Sequence, residues 1–279
     1  MSSFYDGRLL NLAHRGVCRE APENTLAAFR LAEAYGADGI ELDVRMCRSG
    51  ELVVIHDARL NRTTNGRGYV RTKTLEQLRK LDAGSYFHAR FAHEPLPTLD
   101  EVLRWSNGRM RINIEIKSMA RAKAGIEAAV VAMLHRRRMA HDCLVSSFNP
   151  LVLRRIMRLD KRIATALLID RRLSSLRFLS FFTRRAPLRF PYSLTKRNGG
   201  GDVRRSELPL SRLSGVSGLN IHVAVANESF IQKCKNAGLR VMVWGASSRE
   251  ELERLTRLGV DGIITDEPFV LRKILDDEG

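Results

Sequence analysis

Two acids lie two positions apart in the apolar run GIELDV (39–44), Glu41 and Asp43, and INIEIK (112–117) repeats that spacing with Glu115 and Lys117. Residues i and i+2 of a strand project from one face, so each pair points together out of a strand otherwise made of Ile, Leu and Val. Three carboxylates meeting at one sheet end repel unless a proton or cation separates them. All-oxygen ligation suits a hard ion, Mg2+ or Ca2+, better than zinc. Spacing alone leaves a second option open, in which these acids form structural ion pairs with nearby Arg and Lys. His14 ends the run LLNLAH (9–14) and is followed by Arg15, and LVVIHD (52–57) carries His56. Imidazole titrates near neutrality, so a facing pair of histidines can serve both proton transfers of a displacement. Arg15 and Lys117 beside a metal leave positive charge to spare, which favours phosphate over carbohydrate as the ligand.

The elements that must position these residues follow from the apolar pattern. Strand candidates occur at 9–14, 39–44, 112–117, 143–148, 163–169, 218–222, 240–245 and 262–266. Amphipathic helix patterns fill most gaps, at 24–35, 98–105, 122–138, 149–159, 227–238 and 247–259, several opened by Ser, Thr or Asn and closed by Gly. This alternation predicts an α/β fold, a (β/α)8 TIM-type barrel. The run at 52–57 follows GIELDV too closely for a parallel crossover, so it predicts a hairpin. A turn centred on Ser49-Gly50 pairs position 43 with position 56, placing His56 opposite Asp43. Residues 45–97 are therefore read as a small insertion after the second strand, within one catalytic domain spanning 1–279.

With 279 residues, 44% of them hydrophobic, the chain can bury the core of one large domain. The four cysteines, Cys18, Cys47, Cys143 and Cys234, form no CxxC pair, which argues against a zinc site or disulfide framework and fits a reducing cytoplasm. No signal-peptide pattern and no membrane-spanning run is expected. The net charge is +16, and residues 136–205 hold 18 basic against four acidic residues. Within a further insertion predicted over 170–217, RRLSSLRFLSFFTRRAPLRF (171–190) sets Leu and Phe beside arginines. One reading is an interfacial helix making peripheral contact with an anionic membrane; the other is a helix packed on the barrel with its arginines in water. A nucleic-acid role lacks a binding motif or an interleaved aromatic platform, so no such partner is expected.

HRG (14–16), PENT (22–25), ELDV (41–44), VVIHD (53–57), PTLDEVL (97–103), NIEIK (113–117), SSF (146–148), VMVWG (241–245) and GVDGIITDEP (259–268) together resemble, in order and over most of the chain, the motifs of the glycerophosphodiester phosphodiesterase family. The resemblance implies a phosphatidylinositol phospholipase C-like barrel that hydrolyses glycerophosphodiesters to glycerol 3-phosphate and an alcohol. It implies one divalent cation on Glu41, Asp43 and Glu115, His14 and His56 as general acid and base, and Arg15 and Lys117 on the phosphate. Glu23 and Asn24 would support the mouth near His14, with helix capping as the other reading of Asn24. Phe148 and Trp244 would line the glycerol pocket, with core packing as their alternative, and His222 ends a strand at the same rim. Two other functions fit the same residues, phospholipase D-like hydrolysis of lysophospholipids and a catalytically silent phosphodiester-binding barrel. The sequence departs from the family's pattern at the turn CRSG (47–50), where a one-residue slip would move His56 to the other face. It departs again after Trp244, where Gly245-Ala246 replaces a polar pair.

Overall fold

A computed structural model describes residues 4–117, 125–171 and 215–277. It contains eight parallel strands with helices packed around them: β1 (Leu10–His14), β2 (Gly39–Met46), β4 (Arg111–Ile116), β5 (Cys143–Ser147), β6 (Ala164–Ile169), β7 (Gly218–His222), β8 (Arg240–Ala246) and β9 (Gly262–Thr265). They run in the order β1-β9-β8-β7-β6-β5-β4-β2, and pairing of β1 with β2 closes the barrel. The expected (β/α)8 architecture is the observed one. Inward-facing Leu10, Leu12, Leu144, Ala164, Ala166, Met242 and Ile264 fill the interior. The outward faces of the strands pack against the helices in two larger apolar clusters.

Helix starts follow local capping chemistry. Thr25 opens α1 (Leu26–Ala34), Thr98 opens α3 (Leu99–Ser106), Asn149 opens α5 (Pro150–Leu159), Asn227 opens α6 (Glu228–Asn236) and Ser248 opens α7 (Arg249–Arg257). Each of these side chains accepts a first-turn backbone N–H, which offsets the unpaired donors of a helix end. Glu101 and Glu251 complete capping boxes with Thr98 and Ser248. The remaining barrel helices among the described residues are α4 (Ile126–Arg137) and α8 (Pro268–Asp277). The sequence reading stops short of α8, although Pro at its start and the buried Leu271 and Ile274, three apart, are a legible helix signal.

The insertion after β2 begins with β3 (Leu52–Val54), antiparallel to β2 as expected but in a different register. Val44 lies opposite Val54 and Arg45 opposite Val53, and the Ile55 N–H donates to the Asp43 carbonyl at 2.9 Å. Asp43 therefore faces Ile55, and the expected pairing of Asp43 with His56 is wrong by one residue. The cause is the turn. Cys47 N–H donates to the Glu51 carbonyl, leaving a three-residue loop, Arg48-Ser49-Gly50, with Gly50 at φ +97°. Hairpins with three-residue loops place a left-handed residue at the third position, which only Gly adopts freely. The insertion then builds its own apolar cluster from Cys47, Val53, Ile55, Leu60, Val70, Leu78, Ala83 and Leu96, with the one-turn α2 (Leu75–Leu78) beneath it. The basic segment expected over 170–217 falls at 172–214 outside the described residues. Among the described residues, no helix is long and apolar enough to cross a membrane.

Candidate active site

Strand register brings the acids together. Glu41 lies beside His14 across the β1–β2 seam, and Asp43 lies beside Glu115 across the β2–β4 seam. One oxygen from each of Glu41, Asp43 and Glu115 lies within 4.8 Å of the others, and all three side chains are buried. Lys117 Nζ sits 3.0 Å from Asp43 Oδ1 and 2.5 Å from Glu115 Oε1, while Arg15 Nε is 3.3 Å from Asp43 Oδ2. Ion pairs are thus present, yet two cations face three carboxylates. The uncompensated charge falls on Glu41, whose pKa burial and neighbouring Asp43 push well above the carboxylate range. Asp43 stays low despite complete burial, because Lys117 and Arg15 stabilise its charge. Three converging oxygen donors, one of them on a carboxyl that holds its proton for want of a full counter-charge, fit a hard divalent cation.

Asn24 is a supporting residue of this cluster. Its side-chain amide donates to Asp43 Oδ2 at 2.8 Å and accepts the Asp43 backbone N–H at 3.1 Å. Thr25, not Asn24, caps α1. Glu23 supports Arg15 at 3.0 Å rather than His14. Arg15 has φ 55°, which turns its own N–H onto Glu41 Oε2 at 3.1 Å.

Both histidines are held from behind by a carboxylate. His14 Nδ1 is 2.7 Å from Asp266 Oδ1, and His56 Nδ1 is 2.7 Å from Asp57 Oδ1. Each Nδ1 is thereby engaged, leaving Nε2 for other work; that of His14 lies 3.9 Å from Glu41 Oε2. Burial would depress His14, but Asp266, Cys18 and Glu41 outweigh it and push the imidazole up to about 10. His56 moves the other way, lowered by burial and by Lys117. His56 reaches the mouth because the bond from Ile55 N–H to the Asp43 carbonyl is the last between the two strands, one residue before it.

Four residues around this site escape a reading of residue types and spacing. Asp57 and Asp266 sit inside motifs already noted, but their contacts form only in three dimensions. Arg62 grips Asp57 at 2.8 Å through Nε and Glu23 at 2.6 Å through Nη1, joining the insertion to the barrel loop. Arg45 donates through Nε and Nη2 to the His56 carbonyl at 2.9 and 2.6 Å, and through Nη1 to the Lys117 carbonyl at 3.5 Å. Its place in register with Glu41 and Asp43, two further along one strand face, was the available signal.

An aromatic wall stands across the mouth. Phe148 meets Trp244 edge to face with ring centroids 6.1 Å apart, and His222 meets Trp244 the same way at 4.6 Å. Trp244 Nε1 donates to the Asn220 carbonyl at 3.2 Å. A bulge between Trp244 and Ala246 carries Gly245 at φ +84°, where an added Cβ would stand 3.2 Å from His222 Nε2. The Gly after the tryptophan is therefore a backbone requirement.

All of these groups gather where the strands end, the face at which barrel enzymes keep their active sites, and the class they define is a barrel hydrolase acting on an anionic ester. Residues 14–270 match the glycerophosphoryl diester phosphodiesterase family, and the chain belongs to that family. A glycerophosphodiester phosphodiesterase of Caldanaerobacter subterraneus subsp. tengcongensis is 34% identical over 275 residues, covering 98% of this chain and 100% of the relative. Among solved structures, glycerophosphodiester phosphodiesterase from Agrobacterium tumefaciens is similar at TM-score 0.74 and 28% identity, covering 94% of this chain and 98% of that one. An Oleispira antarctica phosphodiesterase, solved with the product sn-glycerol-3-phosphate, is similar at TM-score 0.79 and 27% identity, covering 98% of each chain.

Proposed function

We propose that the chain hydrolyses glycerophosphodiesters to glycerol 3-phosphate and an alcohol by two-histidine acid–base chemistry, with one divalent cation, Mg2+ or Ca2+, held by Glu41, Asp43 and Glu115. The observation that carries the reading is the charge count at the mouth: three buried carboxylates, two cations and two histidines displaced in opposite directions. A bound divalent cation supplies Lewis-acid stabilisation of charge on a non-bridging phosphoryl oxygen. Lys117 and Arg15, at the edge of the carboxylates that would hold the cation, are the donors for the phosphate, Arg15 through its planar fork and Lys117 as a point charge.

His56, kept neutral, takes the proton from the attacking hydroxyl, whether of water or of the substrate's own glycerol. His14, kept protonated by Asp266, gives its proton to the departing alkoxide. Asp57 and Asp266 hold the two rings in the tautomer that each role needs. Phe148 and Trp244 offer an apolar wall to the carbon face of glycerol. His14→Ala and His56→Ala are expected to lower kcat by ~10²- to 10⁴-fold each with glycerophosphocholine, while the proteins melt as wild type does. A substrate whose leaving group needs no proton, such as a nitrophenyl phosphodiester, rescues His14→Ala and leaves His56→Ala inactive. Full turnover by both variants on glycerophosphocholine would refute the assignment.

A further inference from the structure

The acid side of the proposed mechanism holds a group that the reaction does not use. Cys18 Sγ donates to Asp266 Oδ1 at 3.3 Å, the same oxygen that lies 2.7 Å from His14 Nδ1. Single ligand atoms from His14, Cys18 and Asp266 all lie within 4.8 Å of one another, on the far side of the imidazole from the carboxylate cluster. The loop that places Cys18 is tightly set. Gly16, at φ +79°, packs so closely on α1 that an added Cβ would come 2.7 Å from Ala28, and Val17 N–H donates to the Ala28 carbonyl at 3.1 Å. Cys18 is partly exposed, whereas Cys47, Cys143 and Cys234 are buried.

We propose that His14 Nδ1, Cys18 Sγ and Asp266 form a second metal site, selective for a thiophilic divalent ion such as Zn2+, and that its occupation switches the enzyme off. The inference rests on the reading of His14 as a catalytic residue. Imidazole, thiolate and carboxylate are a ligand set that zinc accepts in tetrahedral geometry, with a fourth position left to water. Hard Mg2+ and Ca2+ do not compete for thiolate, so the two sites sort ions by chemistry. Donor atoms on one tetrahedral zinc stand about 3.4 Å apart, so the bond between His14 and Asp266 opens by roughly half an ångström or Asp266 presents its other oxygen. The thiol proton of Cys18 and the Nδ1 proton of the His14 imidazolium both leave to solvent as the metal binds. A metal on Nδ1 keeps the ring's remaining proton on Nε2 and takes Asp266 away, so His14 no longer cycles through the imidazolium form that a general acid needs.

The test uses the full chain with saturating Mg2+ or Ca2+. Titration with Co2+ is expected to raise a thiolate-to-cobalt charge-transfer absorption that Zn2+ displaces and that Cys18→Ser lacks. Zinc is expected to inhibit wild-type hydrolysis of glycerophosphocholine, with Cys18→Ser requiring at least the ~10- to 100-fold more zinc that loss of even an outer-shell partner costs. Because serine can keep the hydrogen bond to Asp266, the variant isolates the metal ligand. Should it fail to fold, zinc protection of wild-type Cys18 from alkylation reports the same site. No cobalt–thiolate band and no protection would overturn the site. Equal zinc sensitivity in wild type and variant would place inhibition at the carboxylates and overturn the switch. A protein that shows the band but hydrolyses no glycerophosphodiester would instead overturn the functional reading on which the switch rests, leaving the metal site standing.

Discussion

His14 and His56 have the same immediate partner, a carboxylate 2.7 Å from Nδ1, yet are displaced in opposite directions. The difference lies in what else faces each ring: Cys18 and Glu41 around His14, Lys117 and Arg15 around His56. This sets the sign of the pH response. His56 must be unprotonated, and its pKa lies below the ordinary 6.5, so activity is lost only as pH falls through that lowered value. His14 must be protonated, so activity is lost as pH rises toward about 10. The kcat/KM profile is expected to be a broad bell, and replacing Asp266 with Asn is expected to pull its alkaline limb downward. A limb unmoved in that variant would detach Asp266 from the acid. The acids and Lys117 were legible as candidates from residue type and i, i+2 spacing, the histidines and Arg15 from their places at strand ends, and their roles from the motif resemblance. Their holders were less so. Asp266 lies 252 positions from His14 and reaches it only because the barrel closes.

The insertion hairpin is the element on which the site depends most, and there local pattern misled. The short gap after GIELDV correctly predicted an antiparallel return after β2, but the three-residue loop with Gly50 in the left-handed region shifted the pairing by one residue. His56 survives the shift because the ladder ends before it and Arg45 seizes its carbonyl. Arg45→Met is expected to cost about 1 kcal/mol of stability, by leaving two part-buried carbonyls without this donor. By loosening His56 it should lower kcat up to ~100-fold with little change in KM, and Arg45→Lys should restore part of the loss. A KM effect alone would show that Arg45 shapes the pocket instead. On the opposite rim, Gly245→Ala forces a side chain into the left-handed region, worth about 1–3 kcal/mol, and presses on His222. Its signature is a raised KM for glycerophosphocholine and a lowered melting temperature, read by steady-state kinetics and thermal unfolding.

Across the whole molecule, eight strand candidates with six helix patterns in their gaps sufficed to predict the barrel, because period-2 and period-3.6 patterns with capping residues report directly on which faces are buried. Closure of β1 on β2 then does what no local pattern states: it brings the His14 strand beside the Glu41 strand, and β4 beside that, so three separate segments share one rim. The α8 helix, anchored by Asn11 Nδ2 donating to the Pro268 carbonyl at 2.8 Å, fixes the chain just past Asp266. The three carboxylates at that rim would hold the cation on which turnover is expected to depend. The direct measurement is product formation from glycerophosphocholine by the full chain, first with Mg2+ or Ca2+, then after chelation, then with the ion restored. Glycerol 3-phosphate and choline should appear with the ion, fall to background without it and return on re-addition. Undiminished hydrolysis after complete chelation, or release of phosphocholine in place of glycerol 3-phosphate, would contradict the account.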